Sequence, residues 1–356
     1  MILIGYGNSL MQLVSKIKTV HIELTDKCQA QCPMCARNYH GGATRPFIRN
    51  GDISIEQFKE WFPKNFLSQL ENFYSCGNYG DPAFAKDCLE IYSYVRECNP
   101  TVRLAIHTNG GMRNSEWWSK LAQYNIEVIF AVDGFKGKHE LYRKNTKFDK
   151  VIENMTAFIN AGGRARVDSL VFAHNEHEAN ELETYLLNLG AERVNFISTS
   201  RFYEMDKYEV HDNDGNVEYT ISPAKTPRFK KAANKDPVAL LDETFRDAVL
   251  ESTTIDPKCT NEIYVDPYGN IFPCCWFGSD YLEKPIDETS PIHVLRNLSV
   301  NNTKEILKRI GIPNCDTKIL WSNKILFKLL AEYWHGKNKC LTCARHCGKL
   351  IYDSKK

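Results

Sequence analysis

The sequence predicts an α/β protein: a parallel sheet whose strands alternate with helices, followed by a smaller α+β unit rich in cysteine. Three observations carry that expectation. Strand-like apolar runs recur six times up to about residue 200, with helix-period stripes between them. Glycine-bearing and polar motifs fall just past the ends of the first four strands. The thirteen cysteines are clustered, with one triad near the start and two sets after residue 258.

Each element has a local reason. Val20-His21-Ile22-Glu23-Leu24 alternates apolar and polar residues as a strand does. Ser54 with Gln57 has the spacing of a capping box, opening a helix through Phe58 and Trp61. A short second strand lies at Asn72-Phe73-Tyr74, and Asp81-Pro82 reads as N-cap and N1 of a helix through Val95. Val102 to His107 is the third strand and Ser115 to Gln123 a helix; Val128 to Val132 is the fourth strand. Val151, Ile152, Met155, Phe158 and Ile159 form a helical stripe closed by Gly162-Gly163. Arg166 to Ala173 is the fifth strand, Asn175 with Glu178 caps a helix ending at Gly190, and Val194 to Ser198 is the sixth.

Six β/α units in series require a parallel sheet, open or curled into a barrel. Ligands of such sheets sit at the carboxyl ends of the strands. Those ends carry the first cysteines, Gly77 to Pro82, His107 to Gly111, and Asp133-Gly134. Their shared position argues for one site.

Composition narrows the class. Of 356 residues, 45 are Lys or Arg and 44 Asp or Glu, a net charge of +1, so charge gives no reason to expect a nucleic-acid partner. No apolar run approaches the roughly 18 residues of a membrane span. Met1 to Leu13 has neither a basic leader nor an A-x-A site, so a cytoplasmic address without a membrane partner is expected. An odd number of cysteines excludes a fully paired disulfide framework within one chain, which leaves metal ligation or catalysis for the clustered thiols. Cys88 stands apart, at helical spacing with Phe84, Ile91 and Val95, as a buried small hydrophobe.

Cys28-Gln-Ala-Gln-Cys32-Pro-Met-Cys35 places three thiols on the loop leaving the first strand. Three thiolates from one short loop suit a cubane iron–sulfur cluster and leave one iron open to an outside ligand. A closed zinc site that borrows His40 is the other reading of the same residues.

This C-x3-C-x2-C loop, followed by this β/α series, resembles the radical S-adenosylmethionine (SAM) superfamily over residues 17–201. The resemblance implies a partial (β/α)6 TIM-like barrel over residues 1–205, with a [4Fe–4S] cluster on Cys28, Cys32 and Cys35. It implies that the open iron takes the amino and carboxylate groups of SAM. Gly80-Asp81-Pro82 would match the family's Gly-Glu-Pro turn at the SAM amino group. Asp133 would lie near the ribose and carboxylate, and Asn175 by the adenine or ribose, while Met34 takes a place that is usually aromatic. A low-potential one-electron donor such as flavodoxin or ferredoxin is implied as well. Taken singly, Gly80-Asp81-Pro82 and Asp133-Gly134 are turns, and Asn175 is an N-cap. Strand alternation makes Glu23 and His107 substrate-side candidates if their faces point inward; a buried structural role fits each equally.

The later cysteines read Cys259-x9-Gly269-x4-Cys274, then Cys340-x2-Cys343-x3-Cys347. A hairpin pair plus a C-x2-C knuckle makes a four-ligand site for zinc or iron–sulfur. The arrangement resembles the SPASM or twitch domain of radical SAM enzymes. That implies one auxiliary [4Fe–4S] cluster over residues 259–356, held by Cys259 and Cys274 with Cys340 and Cys343, and Cys347 able to replace one. Cys275 is a spare thiol, and Cys315 a further possibility. Residues 206–258, with an Asp-Asn-Asp-Gly run, prolines and Lys225, Arg228, Lys230, Lys231 and Lys235, read as linker and irregular insertion with a solvated basic face. The function implied is reductive cleavage of SAM to a 5′-deoxyadenosyl radical that abstracts hydrogen from a substrate. A peptide or protein side chain is preferred as that substrate over an aminosugar or other small molecule. The rival is a non-catalytic iron–sulfur carrier or zinc-stabilised scaffold, against which stand the large barrel and a triad that leaves one iron open.

Overall fold

Strands form at all six strand-like runs: β1 (Thr19–Ile22), β2 (Asn72–Cys76), β3 (Arg103–Thr108), β4 (Ile126–Ala131), β5 (Arg164–Val171) and β6 (Arg193–Ser198). The computed structural model describes residues 17–229 apart from 200, 203 and 204, together with 253–255, 261–272, 274–283, 343 and 347–350. Its contacts gather into two units, residues 22–55 with 73–234, and residues 1–21 with 56–72 and 235–356.

In the first of these, the strands follow one another across the sheet in chain order, from β1, whose Ile22 opens the unit, to β6. The pairs β3–β4, β4–β5 and β5–β6 are parallel. A doubly wound sheet reverses its order at a switch point; unbroken order is that of a barrel, here a partial one. Alternation gives the sheet two unlike faces. Leu104, Ile106, Val128, Phe130 and Val167 are buried on one. His107, Glu127, Arg166 and Asp168 are half-buried on the other.

Helices α1 (Ile55–Trp61), α2 (Lys64–Leu67), α3 (Cys88–Cys98), α4 (Ser115–Ala122), α5 (His139–Tyr142), α6 (Phe148–Asn160) and α7 (Ala179–Asn188) fill the connections. Asn114 caps α4 by accepting the Trp117 N–H at 3.0 Å. Trp118 of α4 then meets Phe130 of β4 and Phe158 of α6, with centroids 5.1 and 6.4 Å apart. Cys88 is buried, as its helical spacing implied.

Three expectations change. The helix after Asp81-Pro82 is a 3-10 turn, Pro82–Phe84, and α3 starts afresh at Cys88, because Ala85 takes an extended ψ of 132°. Asn175 does not cap with its side chain, which is engaged elsewhere, and a 3-10 turn at Glu176–Glu178 precedes α7. Within the stretch read as irregular insertion, β7 (Tyr208–His211) and β8 (Val217–Ile221) form an antiparallel hairpin. Its turn is closed by Asp212, whose Oδ1 accepts the N–H groups of Asp214 and Asn216. Lys225 and Thr226 donate their backbone N–H groups to Glu176, and Arg228 donates to Asn180. Lys230, Lys231 and Lys235 lie outside the described residues.

In the other unit, β9 (Thr253–Ile255) pairs antiparallel with β12 (Gly348–Leu350), and β10 (Glu262–Val265) with β11 (Ile271–Phe272). The β10–β11 turn explains the glycine of the Cys-x9-Gly-x4-Cys run. Gly269 has φ +79°, and a Cβ there would stand 2.8 Å from the Trp61 ring. Cys274 and Cys275 follow, the latter opening α8 (Cys275–Glu283), and Cys347 immediately precedes β12. Cys274, Cys275, Cys343 and Cys347 are half-buried; Cys259, Cys315 and Cys340 lie outside the described residues.

Candidate active site

The loop leaving β1 carries Cys28, Cys32 and Cys35 into an apolar nest of Ala30, Met34, Tyr142, Phe172 and Phe202. Burial raises all three thiols above their ordinary range. Cys28 stands well above it, with Asp81 adding to the effect, and Cys35 is raised. Cys32 is pushed up to about 11 by burial, against the opposing pull of Arg143. Cys28 feels the charges of Cys32 and Cys35, and Cys32 that of Cys35, so the three form one electrostatic group. Thiols held this way keep their protons at neutral pH until a metal displaces them.

Two donors point at the sulfurs. Asn109 Nδ2 lies 3.5 Å from Cys28 Sγ, and Arg143 Nη1 lies 3.9 Å from Cys32 Sγ. Asn109 is aimed by its own acceptor, Oδ1, which takes the Gln29 amide at 2.7 Å and the Gly111 N–H at 2.9 Å. Arg143 is aimed by Asp133, whose Oδ2 accepts its Nε at 2.6 Å. Arg201 donates to the Met34 carbonyl at 2.9 Å, and Arg37 donates to the Asp26 carbonyl. Arg201, Arg37 and Arg143 all favour the ionised form of Cys35. Neither Asn109 nor Arg143 is singled out by sequence alone. Asn109 lies in the His107 to Gly111 segment flagged at a strand end, whereas Arg143 carries no local signal.

The Gly80-Asp81-Pro82 turn is locked from beneath. Glu23, 1% exposed, accepts the N–H groups of Tyr79 and Gly80 at 2.6 and 2.8 Å. Asp81 is buried and accepts from the Thr108 hydroxyl and the N–H groups of Ala83 and Asn109. Burial raises its pKa, with those hydrogen bonds opposing the rise. Pro82 starts the 3-10 turn where no N–H is needed. A Cβ on Gly80 would overlap the Thr25 carbonyl, and one on Gly77 the Gly80 carbonyl. Gly80→Ala is therefore expected to cost about 1–3 kcal/mol in urea unfolding and to displace the turn from the cysteine loop.

Asp133 is fully buried at the end of β4. Besides Arg143, it accepts the Leu170 N–H at 2.6 Å, stitching β4 to β5 beyond their ladder. Asn175 completes the join: its amide donates to the carbonyls of Asp133 and Leu170, and its Oδ1 accepts the Phe172 N–H. His139 Nδ1 accepts the Asp133 N–H at 3.2 Å, which leaves Nε2–H for Thr146, 2.9 Å away. Burial lowers the His139 pKa to about 4, so the folded protein holds the ring neutral. The unfolded chain takes up that proton below about pH 6.5. Stability from this residue is full above that point and is lost as pH falls towards 4, by about 3 kcal/mol. Urea midpoints at pH 7 and pH 5 should differ accordingly, and His139→Asn should flatten the slope. His174, also lowered to about 4 by burial, adds a slope of the same sign.

On the half-buried sheet face, burial lowers the His107 pKa, and Asp168 opposes it. Asp168 accepts the Asn195 amide at 2.8 Å, and Arg166 pairs with Glu127 at 3.1 Å. The Cys76 thiol, at the end of β2, is pushed up to about 11 by burial with Glu23 and Asp168 adding to it. His107, Asp168 and Cys76 therefore belong to one polar neighbourhood.

A cubane spreads its thiolates over separate irons, whereas zinc gathers four donors around one ion. Among the described residues, no three His, Cys, Asp or Glu side chains close on a single ion. His40 is engaged elsewhere, stacked on His211 and Tyr208 with centroids 4.6 and 5.0 Å apart. Three sulfurs, Cys32 buried and Cys28 and Cys35 half-buried, facing an amide and a guanidinium suit a cluster with net negative charge. Residues 22–187 match the Radical SAM superfamily. The chain carries a radical SAM domain.

The radical SAM domain has named relatives. The chain is 27% identical over 197 residues to a GTP 3′,8-cyclase of Klebsiella pneumoniae, an alignment covering 53% of this chain and 55% of that enzyme. It thus spans about half the length of that relative. It is 20% identical over 279 residues to a cysteine-type anaerobic sulfatase-maturating enzyme of Clostridium perfringens, covering 71% of this chain and 72% of the other. Among solved structures, native anSMEcpe with bound AdoMet matches with a TM-score of 0.48 at 18% identity, over 72% of this chain and 74% of that one. Streptococcus suis SuiB matches with a TM-score of 0.49 at 14% identity, over 79% and 65%. Among the described residues, no helix is long and apolar enough to cross a membrane.

Proposed function

We propose that this protein is a radical SAM enzyme acting on a peptide or protein side chain. The observation that carries the chemistry is the cysteine triad in its apolar nest, with Asn109 and Arg143 directed at its sulfurs. Cys28, Cys32 and Cys35 would hold a [4Fe–4S] cluster. Bound there with SAM, the cluster supplies the electron for reductive cleavage to methionine and a 5′-deoxyadenosyl radical, which takes hydrogen from the substrate. The chain's own residues prepare for this. Asn109 donates to Cys28, and Arg143 places a positive charge beside Cys32 that also suits the SAM carboxylate. Glu23 and Asp81 hold the Gly80 turn rigid for the SAM amino group. Asn175 keeps the Asp133 strand end in place beside the expected ribose and adenine positions. His107, Asp168 and Cys76 line the substrate side. An external low-potential donor such as flavodoxin or ferredoxin would deliver the electron.

The peptide assignment is supported by the sulfatase-maturating relative, whose alignment of 279 residues exceeds the 197 of the cyclase. The later cysteines support one auxiliary [4Fe–4S] cluster on Cys259, Cys274, Cys340 and Cys343, with Cys347 as the alternative ligand. In the β9–β12 pair, Gly348, the residue after Cys347, faces Ile255, four residues before Cys259 in the sequence. The test is anaerobic reconstitution, reduction and assay of 5′-deoxyadenosine, first with SAM alone. A cysteine-containing peptide with deuterium at its side-chain carbon, and deuterated GTP, are then compared as donors of the label to 5′-deoxyadenosine. Label from the peptide supports the proposal. Label from GTP alone would replace it with cyclase-type chemistry, and no 5′-deoxyadenosine at all would refute radical SAM catalysis.

A further inference from the structure

One face of the β7–β8 hairpin packs on the cysteine loop. Val210 and Ile221 are buried in the same apolar nest as Cys32 and Met34, with Tyr208 and Tyr219 packed against it. Polar contacts tie it down on two sides. Towards the cysteine loop, the Tyr208 hydroxyl donates to the Pro33 carbonyl at 3.1 Å, between Cys32 and Cys35. The His211 N–H donates to the His40 carbonyl at 2.9 Å, and the Gln31 amide donates to Asn213 at 2.9 Å. Towards the Arg143 segment, the Tyr219 hydroxyl donates to the Leu141 carbonyl at 2.9 Å, while Lys144 donates to the His211 carbonyl at 2.8 Å and pairs with Glu218. Gly42 lies so close beneath the hairpin turn that a Cβ would overlap the Asp212 carbonyl.

We infer that the hairpin is a clamp. It fixes the three-cysteine loop against the Arg143 segment and covers the cluster from solvent, with Tyr208 and Tyr219 as positioning residues. The inference rests on the cluster assignment above only for its covering role; the clamping of the loop stands on the contacts themselves. The Tyr208 hydroxyl holds the Pro33 carbonyl on one side of Cys32 and Asn213 holds the Gln31 side chain on the other, so the cysteine loop is braced by a strand pair some 180 residues further along the chain. Apolar cover also limits the access of water and oxygen to the sulfurs.

The experiment uses the full chain in three forms: wild type, Tyr208→Phe/Tyr219→Phe, and Gly42→Ala. The double variant removes two hydroxyls and keeps both rings. Gly42→Ala keeps every clamp group and wedges the turn away, and Gly42 is not in the left-handed region, so alanine meets no backbone strain of its own there. Amide hydrogen exchange is followed over residues 28–45 of the apoprotein, and loss of the cluster's visible absorbance in air is followed after anaerobic reconstitution. Several-fold faster exchange in that segment, with an unchanged exchange pattern in β3 to β5, and several-fold faster cluster loss are expected for both variants. Wild-type exchange in both variants would overturn the clamp. Faster exchange with an unchanged rate of cluster loss would overturn the covering role. Failure of the wild type to take up iron would refute the cluster assignment instead, and exchange would still decide the clamp.

Discussion

Replacing Cys28, Cys32 and Cys35 together with alanine is expected to abolish 5′-deoxyadenosine formation and to remove about four irons and four sulfides per chain. The three sulfurs sit in one apolar nest, and the ligand a closed zinc site would borrow, His40, is stacked on other rings and faces the Glu209 carbonyl. About four irons should remain if the later cysteines hold an auxiliary cluster, and about one zinc if that site is closed around zinc. Iron, sulfide and zinc assayed on wild type and variant separate these cases. A variant that still cleaves SAM would rule out the triad as the catalytic cluster site.

Removing the positive charge of Arg143 should be the most damaging single change in the scaffold of the site. Asp133 is fully buried, and Arg143 Nε is its charged partner at 2.6 Å. Arg143→Met leaves the carboxylate stranded, and about 3–5 kcal/mol of stability should be lost, because the desolvation of Asp133 persists without its counter-charge. Asp133→Asn/Arg143→Met should recover part of that loss, because the stranded charge is gone while the Asn side-chain oxygen can still accept the Leu170 N–H. Urea unfolding of the two variants at pH 7 measures the difference. If Arg143 also meets the SAM carboxylate, binding of SAM to the reconstituted double variant should weaken at least tenfold, about 1.4 kcal/mol. Equal stability for the single and double variants would place the Asp133 charge outside the balance of the fold.

The parts of this molecule that can be read from sequence are those set by local period and spacing. Short strand-like apolar runs between helix-period stripes placed all six barrel strands. The triad was readable because its ligands share one short loop. Asn109 and Arg143 were not, because each meets its sulfur across 81 or 111 residues of chain, and nothing local to Arg143 distinguishes it from any other arginine. Glu23 shows a different limit. Its phase on β1 was clear, yet only the folded chain reveals that its carboxylate is engaged by the N–H groups of Tyr79 and Gly80. The hairpin had both its signals, alternation in Tyr208-Glu-Val-His and Val217-Glu-Tyr-Thr-Ile and an Asp-Asn-Asp-Gly turn. Prolines and basic residues on its C-terminal side outweighed them in a reading made by composition.

Gln31 and Asn213, which meet across the hairpin turn, are 182 residues apart in the chain. At about 5–20 residues per second, a ribosome would expose the cysteine loop some 10–40 s before the strands that close over it have been made. Through that interval the loop is open to whatever delivers iron and sulfide, and equally to oxidants. The order of synthesis therefore gives the cell a window for loading the site that shuts when the hairpin folds. Once it has shut, a cluster lost from the finished protein would have to be replaced through a covered surface.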